Sequence, residues 1–543
     1  MKILRADLPS AFWAAAVFFA AVWILDPIRD FPLQDDWAYF LSVKHLVDDA
    51  SLRVLDYTSA SLIFQSLWGA MFSMVLGLSH STLRLSTLFL AFLAMFLMGE
   101  FFPDEPRKIH PILSPPFLLT ANPLFFLLSF TFLTDVPHLA LTLAALALGR
   151  RAEKTDRPVW WAACSAAASL AYLVRQIGVL IPVGLALHLL LRGKLTPKRG
   201  VLLLALPAAT LAVHQYWFHF IHGSTLTFEI YRQATSAGLA EPLKLAWNLY
   251  FRSGAGVLYC ALFSVPQLLA LNADGFRAPS RGAALGAAGL LAPLLLGSEP
   301  LFNMGIIYPG GLGSPDISAM SAKAGGVLAA AWFRPALVAA AAAAIFGWLG
   351  RWPELKAAWK DEGVAVMRLP CLLQFAAMLP GAIYTDRYML PIVPLAVVWG
   401  CQALRHSRAG GSASSLAALL AGAAMFAWSL AGTWDYLKWN DAKWAAGRAA
   451  VRLGIPAERI FNGLDWCGFH VYEANMRRLK AAKPLERIGY WEWLTSQRFD
   501  YAVSFSDSRT AGPEVLGVSY WTHLSRAPGR ISVKRLAPGA VLP

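Results

Sequence analysis

Apolar runs long enough, or nearly long enough, to cross a bilayer recur along most of the chain, and that recurrence constrains the fold more than any single motif does. They fall at about 11–26, 61–78, 82–102, 111–131, 134–149, 159–175, 177–191, 200–221, 246–271, 283–297, 327–349, 364–382, 388–403 and 415–433. A hydrocarbon layer about 30 Å thick takes roughly 20 apolar residues in a helix, and inside it every backbone group must find an internal partner. Several runs are short or broken by Pro, so roughly 11–13 true spans are expected by that length rule. Of the 543 residues, 57% are hydrophobic and 15% charged, more apolar surface than a soluble protein of this size can bury. The expected class is an all-α polytopic membrane protein.

The basic residues orient it. "GRRAEKTDR" (149–157), "RGKLTPKR" (192–199), "RWPELKAAWK" (351–360) and "RHSR" (405–408) sit between apolar runs, where a cytoplasmic, anionic leaflet favours Lys and Arg. The net charge of +14 is therefore read as membrane topology, not nucleic-acid binding. With Lys2 and Arg5 also inside, the N-terminal run is a retained anchor rather than a cleaved signal. Helices alternating between these loops place Asp35, Asp36, Asp135, Arg175, the Gly- and Pro-rich loop 298–316, Asp386 and Arg387 together on the outer face. Between Asp36 and Asp135 lie three apolar runs, yet a shared face requires an even number of crossings. The run 111–133, with Pro115, Pro116 and Pro123, is the expected exception: a bent pair of half-helices entering and leaving on one side.

Residues 1–433 thus form the transmembrane domain, with a first outer loop at 27–60. After Gly432 the pattern changes to Trp, charges and short apolar runs such as "RIF" and "YAVSFS", read as a C-terminal soluble α/β domain, 434–543, on the outer face. Its Trp residues are expected in the core or at the membrane rather than stacked on sugars. Cys164, Cys260, Cys371 and Cys401 lie in apolar runs and Cys467 stands alone, which gives neither a disulfide framework nor a metal pair. His214, His219 and His222 cluster at one helix end without a carboxylate at ligand spacing, so no metal is indicated.

"FPLQDDWAYF" (31–40) places two carboxylates at the first outer exit. A charge beside lipid is costly unless it is used or solvated. The segment from Trp37 onward suits an interfacial helix, so one Asp can cap it while the other faces a substrate. Neighbouring helix residues do not share a face. Arg175 and Arg387 are candidates to grip phosphate through paired N–H donors, Lys44 is a weaker one, and the 298–316 loop is a candidate lid.

An Asp-Asp-x-x-Tyr loop after an N-terminal span resembles the GT-C superfamily of lipid-sugar-dependent glycosyltransferases. The likeness is to its branch of protein O-mannosyltransferases and aminoarabinose transferases. The matching residues are Asp35, Asp36 and Tyr39, followed in order by "TDVP" (134–137), "LVRQ" (173–176) and "DRYMLPIVP" (386–394). The likeness covers residues 1–433, and where many relatives carry Glu as the second acid this chain carries Asp36. It implies catalytic roles for Asp35, Asp36 and Asp135, and substrate-binding roles for Tyr39, Arg175, Gln176, Arg387 and Tyr388. It also implies a polyprenyl-phosphate-sugar donor, a lipid, glycan or protein acceptor, and inverting transfer on the periplasmic face of the inner membrane; no cofactor is expected, and a divalent metal, though not indicated, stays open. Asp35 is the expected base. A transporter or flippase of a lipid-linked or anionic solute is the alternative; it calls for midplane charges and an internal repeat, and the charges here sit at helix ends.

Overall fold

The computed structural model describes residues 8–102, 109–273, 275–296, 301–302, 304–308, 311–317, 332–381, 384–407, 416–505, 512–524 and 527–537. Lys2, Arg5, Pro300, Pro309, Gly310 and the Gly/Ser/Ala stretch 409–415 lie outside the described residues. Helices dominate, as the apolar runs require. Among the described residues four of them, His80–Gly99, Pro197–His222, Phe333–Gly350 and Leu416–Arg452, are each long and apolar enough to cross a bilayer. Pro242–Phe263 and Val265–Leu271, bent by 59° at their junction, make a fifth span if taken together. Shorter apolar helices such as Ser10–Leu25, Pro158–Val174 and Gln176–Leu191 fill the bundle between them.

The two ends of this bundle differ chemically. At one end the basic loops are tied to acids: Glu153 accepts from Arg192 (3.0 Å) and Lys194 (2.8 Å), and Asp156 accepts from Arg199 Nε (2.9 Å). At the other end Asp35, Asp135, Arg175 and Arg387 come together. This second end is called the site face below.

The crossing that fails is not the Pro-rich one. The helix Ile63–Leu76 begins where Leu62 N donates to Val174 O (3.3 Å), next to Arg175. Just past its other end, His80 N donates to Asp30 Oδ1 (2.9 Å), close to the exit of the first helix. Both termini therefore lie on the site face, and the helix runs along that face instead of through the bilayer. Leu67, Met71, Met74, Val75 and Leu76 stay exposed, an apolar stripe suited to the lipid surface.

The 111–133 run crosses, contrary to the expectation of a re-entrant pair. It consists of helices Pro115–Ala121 and Pro123–Ser129. Trp13 packs on Phe117, and Phe18 packs on Phe126 and Phe130, so the broken helix climbs alongside the first one. At its far end Cys401 Sγ donates to Leu113 O (3.2 Å). The break is tolerated because each Pro sits in the first turn of its segment, and because Asn122 Oδ1 accepts from the free N–H of Leu124 (3.0 Å) and Phe125 (3.3 Å).

The last helix, Leu416–Arg452, spans 37 residues without a break and continues past residue 434 into the α/β region. There Ile460–Phe461 pairs in parallel with Tyr501–Phe505, which pairs antiparallel with Ala527–Arg535, itself antiparallel to Glu514–Thr522. The helix Gly463–Ala482 packs directly on the first outer loop. A Cβ at Gly468 would lie 2.2 Å from the Trp37 ring, so only glycine permits this approach. Trp37 is fully buried against Tyr57, Tyr472 and Trp493; truncating such a side chain costs about 3–5 kcal/mol.

This topology is testable by membrane-impermeant labelling. Cysteines introduced as Ala60→Cys and Leu78→Cys, before and after the helix Ile63–Leu76, should react from the same side of the membrane, while His110→Cys should react only from the other. Labelling of positions 60 and 78 from opposite sides would overturn the assignment.

Candidate functional site

The loop that carries the acidic pair is shaped from beneath. Arg84, fully buried one turn into the helix His80–Gly99, donates to the carbonyls of Pro27 (2.8 Å), Arg29 (3.1 Å) and Phe31 (3.0 Å). These three carbonyls hold the two terminal nitrogens of the guanidinium, leaving the buried Nε unbonded, and set the path of the chain toward Asp35. Gln34 is held at φ 53°, a conformation that non-glycine residues rarely adopt and that surrounding contacts must enforce. Its Nε2 reaches the carbonyl of Gly313 (3.5 Å).

The two carboxylates then part. Asp36 opens the helix Asp36–Asp49 and turns inward, where Oδ1 accepts from Phe132 N (3.0 Å) and Oδ2 from Leu33 N (3.4 Å). Burial pushes its pKa up to about 7, against the pull of those two amides and of Arg84. Asp35 makes no side-chain cap to its helix. It stays 30% exposed, with Oδ2 3.4 Å from Arg387 Nη2 and Oδ1 accepting from the Tyr57 hydroxyl (3.3 Å).

Asp135, at the start of the helix Asp135–Thr155, is buried and binds Arg175 Nη1 through Oδ1 at 2.5 Å. Arg175 ends the helix Pro158–Val174 as its cap residue. Tyr388 lies beneath both guanidinium groups, 5.2 Å from that of Arg175 and 5.7 Å from that of Arg387, within the range of cation–π attraction. Burial alone would lower the pKa of Arg387, but the fields of Asp135, Tyr388 and Asp35 hold it well above the usual value. Tyr39 is buried and sits in the field of Asp35 and of both arginines; burial first, then Asp35, raises its pKa. Two acids and two guanidiniums thus form one compact group.

Other candidates fall elsewhere. Lys44 is half exposed and pairs with Asp48, so it belongs to the outer surface of its helix and not to this group. Gln176 donates to Ser59 O (2.7 Å) and, with Arg175, Tyr231 and Tyr388, lines a cavity of about 190 Å³. His214 bonds the Tyr172 hydroxyl (2.7 Å), His219 bonds Gln215 (3.1 Å), and His222 accepts from Val54 N (3.0 Å); these rings are structural. Among the described residues no three His, Cys, Asp or Glu side chains gather as metal ligands do.

Sequence places Asp386 on this face but does not give its partners, and it gives no sign of Tyr490. Asp386 does not pair with its neighbour Arg387. It is buried and accepts from Ile306 N and Ile307 N (2.8 Å each), pinning the loop that carries the two-stranded hairpin Ile307–Tyr308 and Gly311–Leu312. Burial raises its pKa to about 6 despite those amides. Tyr490, from the α/β region, is hydrogen-bonded to Tyr57 and Tyr231 and stacks on Tyr57 at 6.0 Å. The "DYTS" that carries Tyr57 gave only the signal of an aromatic in an acidic outer loop. On the other side of Asp35 a second cavity of about 370 Å³ opens between that residue, the hairpin loop and the long last helix.

Residues 115–217 match the family of dolichyl-phosphate-mannose-protein mannosyltransferases. Comparison with curated protein sequences finds no match. Among solved structures, ArnT from Cupriavidus metallidurans bound to undecaprenyl phosphate aligns over 96% of this chain and 97% of its own, at 12% identity and a TM-score of 0.50. The same protein in the apo state aligns over 95% and 97%, at 11% identity and 0.47. The archaeal oligosaccharyltransferase AglB from Archaeoglobus fulgidus, in complex with an inhibitory peptide and a dolichol-phosphate, aligns over 73% of this chain and 50% of its own, at 13% and 0.34. The likeness in fold rests on the first of these. The family match and the shared fold bear out the resemblance to GT-C membrane glycosyltransferases. Within that class it is to the branch of the protein mannosyltransferases and ArnT.

The Asp135–Arg175 pair makes a clear prediction. Removing one member of a buried pair leaves the other uncompensated at a cost of about 3–5 kcal/mol. Asp135→Ala should therefore lower the denaturation midpoint of the detergent-purified protein sharply, and Asp135→Ala/Arg175→Met should recover part of the loss. Asp36 predicts a pH dependence. Because its pKa is raised in the fold, the folded chain binds its proton more tightly than the unfolded chain. Its contribution is then largest below about pH 4, the unfolded value, and falls as pH rises through about 7. Asp36→Asn should flatten the fall in thermal midpoint over that interval.

Proposed function

We propose that this chain transfers a sugar from a polyprenyl-phosphate donor to an acceptor hydroxyl or amine, with inversion, on the extracytoplasmic face of the plasma membrane. The observation that carries the reading is the division of labour in the acidic pair. Asp36 is buried against backbone amides, while Asp35 remains open beside Arg387. In the proposed step Asp35 accepts the acceptor proton, the acceptor oxygen or nitrogen bonds to the anomeric carbon, and the bond from that carbon to the phosphate oxygen breaks. The electron pair leaves with the polyprenyl phosphate. Phosphate gains negative charge in this step, so guanidiniums near it bind the transition state more strongly than the donor. Arg387, loosely held by Asp35, and Arg175, on the wall of the smaller cavity, would supply that charge.

A general base contributes about 10²–10⁴-fold. Asp35→Asn should therefore lower transfer of radiolabelled sugar from a polyprenyl-phosphate donor by at least about 10²-fold while the denaturation midpoint stays near that of the parent protein. Retention of most of the activity by that variant would rule Asp35 out as the base. Arg387→Lys, which keeps the charge and loses the fork of donors, should weaken binding of the donor lipid while leaving the fold intact.

A further inference from the structure

The backbone of Asp35 is fixed from below, but among the described residues its carboxylate has two side-chain contacts: Arg387 Nη2 at Oδ2 and the Tyr57 hydroxyl at Oδ1 (3.3 Å). The second contact comes from a tightly held ring. Tyr57 packs on Trp37, Tyr472, Tyr490 and Trp493, and three of those four belong to the α/β region. The carbonyls on either side of it are also taken. Asp56 O accepts from Thr227 N (2.9 Å) and Thr58 O from Thr225 Oγ1 (2.7 Å), at the start of the helix Leu226–Leu239. The same helix carries Tyr231, on the wall of the smaller cavity with Arg175 and Tyr388. Tyr490 is bonded to both Tyr57 and Tyr231. Its turn is fastened in place, since Glu492 accepts from Gly489 N (2.9 Å) and, through each oxygen, from Lys483 Nζ (2.6 Å).

Protons give this group of hydroxyls a direction. An ionised carboxylate only accepts, and a phenol has one proton to donate. Tyr57 gives its proton to Asp35, so its oxygen accepts from Tyr490, and the Tyr490 oxygen accepts in turn from Tyr231. Hydroxyls in such a chain polarise one another and strengthen the terminal bond by about 10–30% per link. A donor held on Oδ1 favours the charged carboxylate and leaves Oδ2 as the oxygen that takes up a proton. At 3.3 Å the bond is longer than is usual between two oxygens, which sets its worth at the low end for a charged acceptor. Packing alone would need these rings and not their hydroxyls.

We infer that Tyr57 is a positioning residue for Asp35, and that the α/β region acts on the site through it, by the hydroxyl of Tyr490. The inference rests on the proposed transfer reaction only for what Asp35 then does as a base. The direction and charge of its carboxylate are set in either case.

Carbodiimide labelling of the full-length protein in detergent micelles, read at Asp35 by mass spectrometry across pH, tests it without any substrate, because carbodiimides react with the protonated carboxyl. Tyr57→Phe should raise the pH midpoint of labelling by about one unit, and Tyr490→Phe by ~0.3 unit. Tyr472→Phe removes a hydroxyl from the same aromatic cluster but none from the chain, and should leave the midpoint where it is. The groups outside the chain that share the field of Asp35, namely Arg387, Asp36 and Tyr39, are the same in every variant. A merely structural role for the two tyrosines would lower the denaturation midpoint without moving the labelling curve. An unmoved curve in Tyr57→Phe or in Tyr490→Phe, or an equal shift in Tyr472→Phe, would overturn the inference; if Tyr57→Phe does not fold, Tyr490→Phe decides alone. In the transfer assay Tyr57→Phe should lower kcat about tenfold or more with the donor KM close to that of the parent protein. A labelling shift as expected, with transfer absent or untouched, would count against the proposed reaction and not against the positioning of Asp35.

Discussion

The arrangement around Asp35 depends on one carboxylate that is turned away from it. Asp36 reaches across 96 positions of sequence to the amide of Phe132 and back to that of Leu33. It thereby fixes the first outer loop to the junction between the broken helix and the helix of Asp135. Burying an acid at the edge of a membrane is unfavourable unless its oxygens are matched by donors, and here both are. Because adjacent helix residues point apart, anchoring Asp36 inward turns Asp35 outward. The guanidinium of Arg84, bound to three carbonyls of the same loop, and the strained backbone at Gln34 make this arrangement hard to escape. What holds Asp35 in place is thus a set of hydrogen bonds below it, and little of the structure around its own oxygens.

Charge balance at the centre of the site follows from that placement. Asp135 and Arg175 are in close contact, whereas Asp35 and Arg387 stand further apart. The first is a buried pair whose members are each costly to strand; the second is longer and partly exposed. Tyr388, beneath both guanidiniums, keeps them from drifting apart. The α/β region closes the arrangement from above through Tyr490 and Trp493, which touch Tyr57, so the membrane bundle and the region beyond it share the site.

Much of this was legible in the sequence, for identifiable reasons. Apolar length reports burial in lipid, so the helical membrane bundle could be read directly. Alternation of basic loops placed Asp35, Asp135, Arg175 and Arg387 at one end, because topology follows charge. Hydropathy, however, does not encode direction. The helix Ile63–Leu76 is as apolar as a span yet lies along the surface, while the Pro-interrupted run crosses because Asn122 replaces the lost hydrogen bonds. Arg84 resembles any charge near a helix end until its three carbonyl partners are seen. Asp386 adjoins Arg387 in sequence, but its partners, Ile306 and Ile307, come from a loop about eighty residues earlier. Contacts of that sequence separation leave no local pattern to read.

The unbroken helix Leu416–Arg452 has a mechanical meaning. At 37 residues and about 1.5 Å of rise per residue, it measures about 55 Å, far more than the hydrocarbon layer of about 30 Å. Its emergent part, nearly half of the length, forms one wall of the cavity beside Asp35. A stiff rod anchored in lipid therefore sets the height of that chamber above the bilayer. Anything bound there meets the chamber wall at a fixed level, as a workpiece is brought to a bench.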